Sequence, residues 1–300
     1  MNFLSVDDFT REQITRIFEI AESIESGSEE MSLKEGSTLA LLFEKPSTRT
    51  RVSFEAAMAQ LGGHSIYIDA RTSQLSRGET IADTAKVLSS YVDFIAARLY
   101  KHSDLVELAN NSTIPVINAL TDLEHPCQAL SDIYTIQQIK KKLRGLKLVF
   151  AGDVANNVAN SLMLAGAKMG LEIALVGPKK CIPNSLYFTK AREYSTVEFY
   201  SDIKEGVRDA DVIYTDTFVS MGEEAEAKER LEMFAPYQVN DKMLSYAASD
   251  AIVMHCLPAH RGEEITAEVL DGPRSVVWQQ AKNKMLLEKA ILLYLSEKSV

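Results

Sequence analysis

The stretch TLALLFEKPSTRTRVSFEAAMAQLGG, residues 38–63, joins an apolar run, a hydroxyl-rich turn and a helical pattern that ends at two glycines. TLALLF (38–43) has the length and composition of a buried strand, and residues 52–61 are rich in helix-forming side chains. A strand followed directly by a helix is the repeating unit of a parallel sheet covered by helices. The stretch therefore predicts an α/β fold.

Eight further runs repeat the strand pattern along the chain. They are SIYID (65–69), DFIAAR (93–98), IPVINA (114–119), KLVFAG (147–152), EIALVG (172–177), VEFY (197–200), DVIYTD (211–216) and AIVMHC (251–256). Nine strands are many for one sheet, so we predict two doubly wound domains, each a mainly parallel sheet flanked by helices.

The boundary between these domains is predicted from a helical segment in the middle of the chain. Residues 128–145 are predicted to form a long helix ending at Gly145, where a new series of strands begins. The predicted domains are residues 1–142 and 143–300. A C-terminal helix, at about residues 280–300, is predicted to pack back on the first domain.

Composition limits the classes of ligand and location. The 300 residues include 32 basic and 42 acidic side chains, which give a formal net charge of −10. Nucleic acids and anionic membranes bind broad basic surfaces, so neither is an expected partner, and an anionic ligand should be small. No signal peptide or membrane span is predicted. Three widely spaced cysteines form neither a disulfide framework nor a metal motif, which favours the reducing cytoplasm.

Polar clusters occur at the carboxyl ends of six predicted strands. They are PSTRTR (46–51), Arg98, HPCQ (125–128), GDVANN (152–157), TDTFVSMG (215–222) and HCLPAHRG (255–262). Open α/β sheets bind ligands at this edge, and both halves supply clusters, so we expect a site in a cleft between two domains. Turns are polar in any case, and it is the number of clusters that favours a site.

The first cluster has the properties of an anion-binding site. Ser47 or Thr48 is expected to cap a helix whose N-terminal N–H groups and positive dipole end face outward. Arg49 adds a guanidinium fork that suits two phosphate oxygens. Arg51 is also compatible with an ion pair to Glu55 one turn later. Neither a GxxxxGK[ST] loop nor a glycine fingerprint is present, so a nucleotide is not expected.

The HPCQ cluster predicts a helix start that presents an imidazole and an amide. Pro126 suits the first helical turn, with His125 before it and Gln128 within that turn. A neutral histidine can donate to a carbonyl oxygen, and a glutamine suits a group that contains both C=O and NH2. His125 is also compatible with a purely structural role. Arg98, at the end of an apolar strand, requires a partner or a bound anion.

The clusters of the second half favour a cationic group. Asp153, Asn157, Asp216 and Ser220 supply oxygen acceptors, and Cys256 supplies a thiol. These groups suit an amine with a zwitterionic tail, whereas a dicarboxylate calls for more cationic side chains. Cys256 is also compatible with the commoner role of a free cysteine, a small buried apolar residue.

Five motifs, STRTR, HPCQ, DVANN, DTFVSMG and HCLPAHRG, together resemble the aspartate/ornithine carbamoyltransferase superfamily over nearly the whole chain. DxxxSMG and HCLP resemble its ornithine carbamoyltransferase branch in particular. The resemblance implies a carbamoyl-phosphate domain and an ornithine domain joined by two helices. It implies transfer of the carbamoyl group to the δ-amine of L-ornithine, giving citrulline and phosphate, with no metal or organic cofactor. The direction, arginine biosynthesis or the reverse breakdown, stays open.

The resemblance also implies roles for individual residues. The carbamoyl-phosphate site would include Ser47, Thr48, Arg49, Thr50, Gln74, Arg98, His125, Pro126, Cys127, Gln128, Cys256, Leu257 and Lys284. The ornithine site would include Asn157, Asp216, Ser220 and Met221. The catalytic candidates are Arg98, His125, Asp216 and Cys256. Gln74 resembles a loop residue that reaches a neighbouring subunit, which implies a homo-oligomer, a trimer or a multiple of trimers.

Two positions depart from the family pattern. Phe218 stands where a tryptophan is typical, and Lys284 stands where an arginine helps to bind carbamoyl phosphate. Lysine keeps the charge but lacks the bidentate fork, so a weaker contact with the anion is expected. Putrescine or a modified ornithine as acceptor, and a non-enzymatic anion-binding homologue, are the alternatives. The acidic second half disfavours aspartate as acceptor.

Overall fold

The chain forms two compact units in a computed structural model that describes residues 1–28, 31–219 and 224–298. One unit is Met1–Ser131 with Asn283–Val300, and the other is Asp132–Lys282. Each contains one parallel sheet flanked by helices, which confirms the expected fold class. Within the described ranges, no helix has the length and apolar character needed to cross a bilayer.

The first unit has a four-stranded sheet in the order β2-β1-β3-β4. Its strands are β1 (Thr38–Phe43), β2 (His64–Asp69), β3 (Phe94–Arg98) and β4 (Val116–Leu120). Its helices are α1 (Arg11–Ser26), α2 (Thr48–Gln60), α3 (Ile81–Ser89), α4 (His102–Asn110) and the beginning of α5 (Pro126–Lys140). Consecutive residues of β1 and β3 are buried on both faces, as expected for a parallel sheet covered on each side.

The second unit has a five-stranded sheet in the order β7-β6-β5-β8-β9. Its strands are β5 (Lys147–Ala151), β6 (Glu172–Val176), β7 (Val197–Tyr200), β8 (Val212–Thr215) and β9 (Ile252–His255). Its helices are α6 (Asn157–Lys168), α7 (Ser185–Arg192), α8 (Ile203–Val207), α9 (Ala227–Phe234), α10 (Asp241–Leu244) and α11 (Ala267–Leu270). The last helix, α12 (Val277–Glu297), contributes residues to both units, as α5 does.

All nine predicted strands are confirmed, with ends displaced by at most two residues. The predicted helix 128–145 is wrong at its C-terminal end, because α5 stops at Lys140 and Lys141 has a φ of 59°. Leu143 and Leu146 are buried, so the chain turns inward there and does not extend the helix. The separate functions assigned to residues 1–142 and 143–300 stay a prediction.

Candidate functional site

The first candidate cluster lies at the point where the strand order of the first sheet reverses. β1 pairs with β2 on one side and with β3 on the other. Phe43, the last residue of β1, is the register partner of Arg98, the last residue of β3. The turn that begins at Pro46 therefore leaves the sheet at the same edge as Arg98. In open α/β folds this switch point is where ligands bind.

Helix α2 begins at an ordered cap beside a buried lysine. The Ser47 side chain accepts a hydrogen bond from the Thr50 backbone N–H at 3.3 Å, which confirms Ser47 as the capping residue. Lys284 Nζ donates to Thr50 Oγ1, also at 3.3 Å. Thr50 and Lys284 are buried, whereas Thr48 and Arg49 are exposed. The positive end of a helix dipole and an ammonium group thus share one location, which favours an anion.

The two arginines of this turn have different environments. Arg51 Nε donates to Glu55 Oε1 at 2.8 Å, and its guanidinium lies 3.9 Å from the centre of the Tyr67 ring. Arg51 therefore has the local ion pair that the sequence left open. Arg49 forms no hydrogen bond or ion pair with any residue in the described part of the chain, so its guanidinium is available to an anionic ligand.

His125 is a buried, uncharged imidazole close to two cations. It directly precedes α5, as predicted, and Gln128 lies buried in the first turn of that helix. Burial lowers the pKa of His125 well below its usual value, and the charges of Lys284 and Arg98 lower it further. The neutral ring can donate a hydrogen bond to a carbonyl oxygen without carrying a charge of its own.

Cys127 belongs to the core through its side chain. Its thiol donates to the backbone oxygen of Asn118 at 3.4 Å. Burial raises the pKa of Cys127, so the group stays a thiol, and the charge of Glu288 raises this pKa further where Glu288 is ionised. The contribution of Cys127 to carbamoyl-phosphate binding stays a prediction, and its buried thiol already has a backbone partner.

The second candidate cluster lies at the switch point of the second sheet. β5 pairs with β6 on one side and β8 on the other, and Asp216 directly follows β8. Asn156, in the loop after β5, donates from Nδ2 to Asp216 Oδ2 at 3.2 Å. Its Oδ1 accepts from the Ala159 N–H at 2.7 Å and caps α6, whose first residue is Asn157. The cap of α6 thus positions the carboxylate that follows β8.

Cys256 orients the Asp216 carboxylate from the neighbouring strand end. Its Sγ donates to Asp216 Oδ1 at 3.0 Å, and the Thr217 N–H donates to the same oxygen at 2.8 Å. Burial raises the pKa of the Cys256 thiol well above its usual value, and the adjacent Asp216 charge raises it further. The thiol stays protonated at neutral pH, so this geometry makes Cys256 a hydrogen-bond donor and not a base.

A hydrogen-bond network fixes the chain after β9. His255 Nδ1 accepts from the Leu257 N–H at 2.8 Å, so its proton lies on Nε2, which donates to Glu264 at 3.0 Å. Leu257 has a φ of 57°, a conformation that branched residues rarely adopt. Asp216, His255 and Cys256 bring potential metal-ligand atoms within 4.8 Å of one another. Both nitrogens of His255 already serve this network, however.

Comparison with known proteins decides the family. A family model described as the aspartate/ornithine carbamoyltransferase carbamoyl-P binding domain matches residues 1–138, and one described as its Asp/Orn binding domain matches residues 144–295. The chain belongs to the aspartate/ornithine carbamoyltransferase family.

Individual relatives within this carbamoyltransferase family are similar over almost the whole chain. An anabolic ornithine carbamoyltransferase of Pyrococcus furiosus is 50% identical over 299 residues, covering 97% of this chain and 95% of its own. The ornithine carbamoyltransferase of Bacillus subtilis is 50% identical over 307 residues, covering 99% and 95%. The solved Pyrococcus furiosus structure has a TM-score of 0.92 and covers 97% of this chain and 95% of its own.

One polar residue expected in the amine-binding cluster has a different partner. Asp153 accepts a hydrogen bond from Arg230 Nη2 at 2.5 Å and another from the Cys181 thiol at 3.1 Å. Arg230 Nε also donates to the backbone oxygen of Phe218 at 2.8 Å. Asp153 therefore anchors the segment that contains Phe218, the position where the carbamoyltransferase family typically has tryptophan. Asp153 already has a cationic partner in Arg230, so any contribution of Asp153 to binding a cationic ligand stays a prediction.

Three further residues predicted from the carbamoyltransferase resemblance are Ser220, Met221 and Gln74. Ser220 and Met221 lie outside the described residues. Gln74 begins a short 3-10 turn, Gln74–Arg77, and is exposed. Its predicted approach to a neighbouring subunit stays a prediction.

The sequence reasoning missed a buried polar network close to Asp216. Tyr214 Oη donates to Asp132 Oδ2 at 2.8 Å, and Gln280 Nε2 donates to Asp132 Oδ1, also at 2.8 Å. All three side chains are buried, and Tyr214 lies two residues before Asp216 on the chain. An aspartate in the apolar part of α5 was the available signal, because a buried carboxylate needs donors.

Proposed function

We propose that the chain transfers the carbamoyl group of carbamoyl phosphate to the δ-amine of L-ornithine, which gives L-citrulline and phosphate. The observation that carries this proposal is the neutral imidazole of His125, buried near Arg98 and Lys284. A carbonyl oxygen that gains negative charge needs preorganised donors, and a phosphate group needs cations. The named relatives are ornithine carbamoyltransferases, which supports ornithine as the acceptor.

The donor substrate would be held by the first unit. Its phosphate would contact the N-terminus of α2 through Ser47, Thr48, Arg49 and Thr50, with Arg98 and Lys284 adding charge. Arg98, His125 and Thr50 would polarise the carbonyl group. Gln128 would recognise the carbamoyl amide, and Pro126 and Cys127 would contribute their backbone. The support is the shared location of the α2 cap, Thr50 and Lys284.

The acceptor would be bound by residues of the second unit. Asp216 would receive an amine hydrogen bond, since its carboxylate is held by Asn156, Thr217 and Cys256. The other proposed ornithine residues are Asn157, Ser220 and Met221. Cys256 and Leu257 would line the reaction centre, where the hydrogen bond from the Leu257 N–H to His255 Nδ1 holds the backbone.

The chemistry forms one C–N bond and breaks one C–O bond. The uncharged δ-amine attacks the carbonyl carbon, the oxygen takes up the electron pair, and the phosphate leaves when the carbonyl re-forms. The nitrogen loses one proton overall, which Asp216 or the leaving phosphate can accept. Arg98 and His125 stabilise the charge on the oxygen, and one such donor is typically worth about 3 kcal/mol.

Assembly and location belong to the same proposal. We infer a homo-oligomer of trimeric order, because exposed Gln74 resembles the residue that reaches a neighbouring subunit in the family. We also infer a cytoplasmic location, because the three cysteines form no disulfide.

The test is an acceptor profile. Purified protein is incubated with carbamoyl phosphate and either L-ornithine, putrescine or L-aspartate, and both the ureido product and released phosphate are measured. We expect equal amounts of product and phosphate with ornithine, and neither above background with the other two amines. Product with putrescine alone would overturn the ornithine assignment, and no product with any acceptor would overturn the transferase function.

A further inference from the structure

Glu288 is a buried carboxyl group that no part of the proposed chemistry uses. It lies on α12 one turn after Lys284, and its side chain is 0% exposed. Neither of its oxygens has a hydrogen-bond partner in the described part of the chain. An ionised carboxylate in such a place is costly, so the charge state of Glu288 depends on the groups around it.

Several elements of the first unit bring charged or polar groups to Glu288. Lys284 faces it from the same helix, and its charge acts on Glu288 directly. From α5, the Cys127 thiol lies close enough to Glu288 for the charge of Glu288 to raise the pKa of the thiol. From α2, the Ser53 hydroxyl lies nearby while donating to the Thr50 backbone oxygen at 3.2 Å.

Lys284 connects Glu288 to the candidate phosphate-binding residues at the N-terminus of α2. Lys284 Nζ donates to Thr50 Oγ1, and the charge of Lys284 also reaches His125. Arg98 acts on His125 as a second cation from the end of β3. Glu288 therefore lies on the same helix as Lys284, the lysine that donates to Thr50.

The protonation of Glu288 changes within an accessible pH range. Burial raises the pKa of Glu288 to about 8, although the charge of Lys284 lowers it in part. At neutral pH the group is mostly an uncharged carboxylic acid. Above pH 8 it becomes an anion one helical turn from the ammonium group, at the i,i+4 spacing that favours ion pairs.

We propose that Glu288 is a positioning residue for Lys284 that makes carbamoyl-phosphate binding depend on pH. When protonated, Glu288 does not compete with the phosphate for the Lys284 ammonium group. When ionised, it attracts that group and weakens binding of the dianion. This inference rests on the proposed function, because it assumes that the residues at the N-terminus of α2 bind the phosphate.

The experiment measures the binding of a stable analogue by calorimetry at pH 7, 8 and 9. The probe is phosphonoacetamide, in which a CH2 group replaces the bridging oxygen of carbamoyl phosphate. Wild type is compared with Glu288→Gln, which keeps the size of the side chain but cannot ionise. Glu297→Gln is the matched control, because Glu297 is exposed on the same helix. Titration of the probe itself cancels in the ratio of two proteins at one pH.

The ratio of the wild-type to the Glu288→Gln dissociation constant should rise up to about tenfold from pH 7 to pH 9. One linked proton can change affinity by at most tenfold per pH unit, and the pKa lies in the middle of this interval. The ratio of wild type to Glu297→Gln should stay constant. A constant Glu288→Gln ratio, with normal binding at pH 7, would overturn the inference and leave the proposed function intact.

Two further outcomes keep the failures distinguishable. If wild type does not bind the probe even at pH 7, the phosphate site itself is refuted. If Glu288→Gln does not fold, the wild-type protein alone tests the inference. Binding of phosphonoacetamide at pH 8.5 must then be accompanied by uptake of a large fraction of a proton by Glu288. That uptake is obtained from calorimetry in buffers with different ionisation enthalpies, and its absence would overturn the role of Glu288.

Discussion

Replacing Glu288 by glutamine should change how the stability of the protein depends on pH. The pKa of Glu288 lies at about 8 in the folded chain, against an ordinary value of 4.5, because burial disfavours the anion. Between these values the folded state holds a proton that the unfolded chain has lost. The contribution of Glu288 to stability is therefore greatest below pH 4.5 and falls as pH rises toward 8. Glu288→Gln lacks this dependence.

The size of the effect follows from the two pKa values. Each unit of difference corresponds to about 1.4 kcal/mol, so the interval from 4.5 to about 8 corresponds to on the order of 5 kcal/mol. Because Glu288 is fully buried, solvent does not screen this cost. Relative to Glu288→Gln, wild type should lose about 1.4 kcal/mol of unfolding free energy per pH unit between pH 5 and pH 8.

The assay is denaturant unfolding of wild type, Glu288→Gln and Glu297→Gln at pH 5, 6, 7, 8 and 9. The difference between wild type and Glu288→Gln should grow to pH 8 and then level off, because the group is ionised in both states above that pH. The Glu297→Gln curve should run parallel to wild type. Parallel curves for Glu288→Gln as well would refute the argument, since they would mean that the folded chain holds no extra proton at this position.

Substitutions at three other positions test the site and the fold. Arg98→Ala should lower kcat by about 100-fold or more through loss of one donor to the carbonyl oxygen, while the melting temperature changes little. A lower melting temperature with normal turnover by the folded fraction would exclude that role. Lys284→Ala should raise the KM for carbamoyl phosphate about tenfold, through loss of a charged hydrogen bond, and Lys284→Arg should restore most of the affinity; an unchanged KM in Lys284→Ala would show that the contact is absent. Gly206→Ala should destabilise the second unit by about 1–3 kcal/mol, because a Cβ would lie 2.5 Å from Val176 Cγ2; unfolding at the wild-type denaturant concentration would contradict this.

The strands and helix starts could be predicted because their signals are local. Each strand is a short apolar run whose burial follows from its composition, and all nine are present. Ser47 and Pro126 mark the starts of α2 and α5 by cap chemistry that needs no distant partner. The sheet edge that collects the polar turns then follows from the parallel connection of strands.

The remaining features depend on partners far apart in sequence. The end of α5 could not be read from KKKLRG, because those residues favour helix while burial of Leu143 and Leu146 turns the chain inward. The ion pair of Asp153 with Arg230 joins residues 77 positions apart, so no local pattern announces it. In the sequence Glu288 resembles an ordinary glutamate of a helix. Only its complete burial shows that ionisation of its carboxyl group would destabilise the fold.

The protonation states of the site narrow the route of the proton in the proposed reaction. Histidine is the residue type most often used as a general base and cysteine can also act as one, but burial holds both His125 and Cys256 uncharged. A histidine with a pKa far below neutral is a poor base, and a thiol that donates to Asp216 holds a proton and cannot accept one. In the proposed reaction the proton lost by the attacking amine would therefore go to Asp216 or to the departing phosphate. Cys256 donates to the Asp216 carboxylate, and in the proposed reaction His125 would donate to the developing oxyanion.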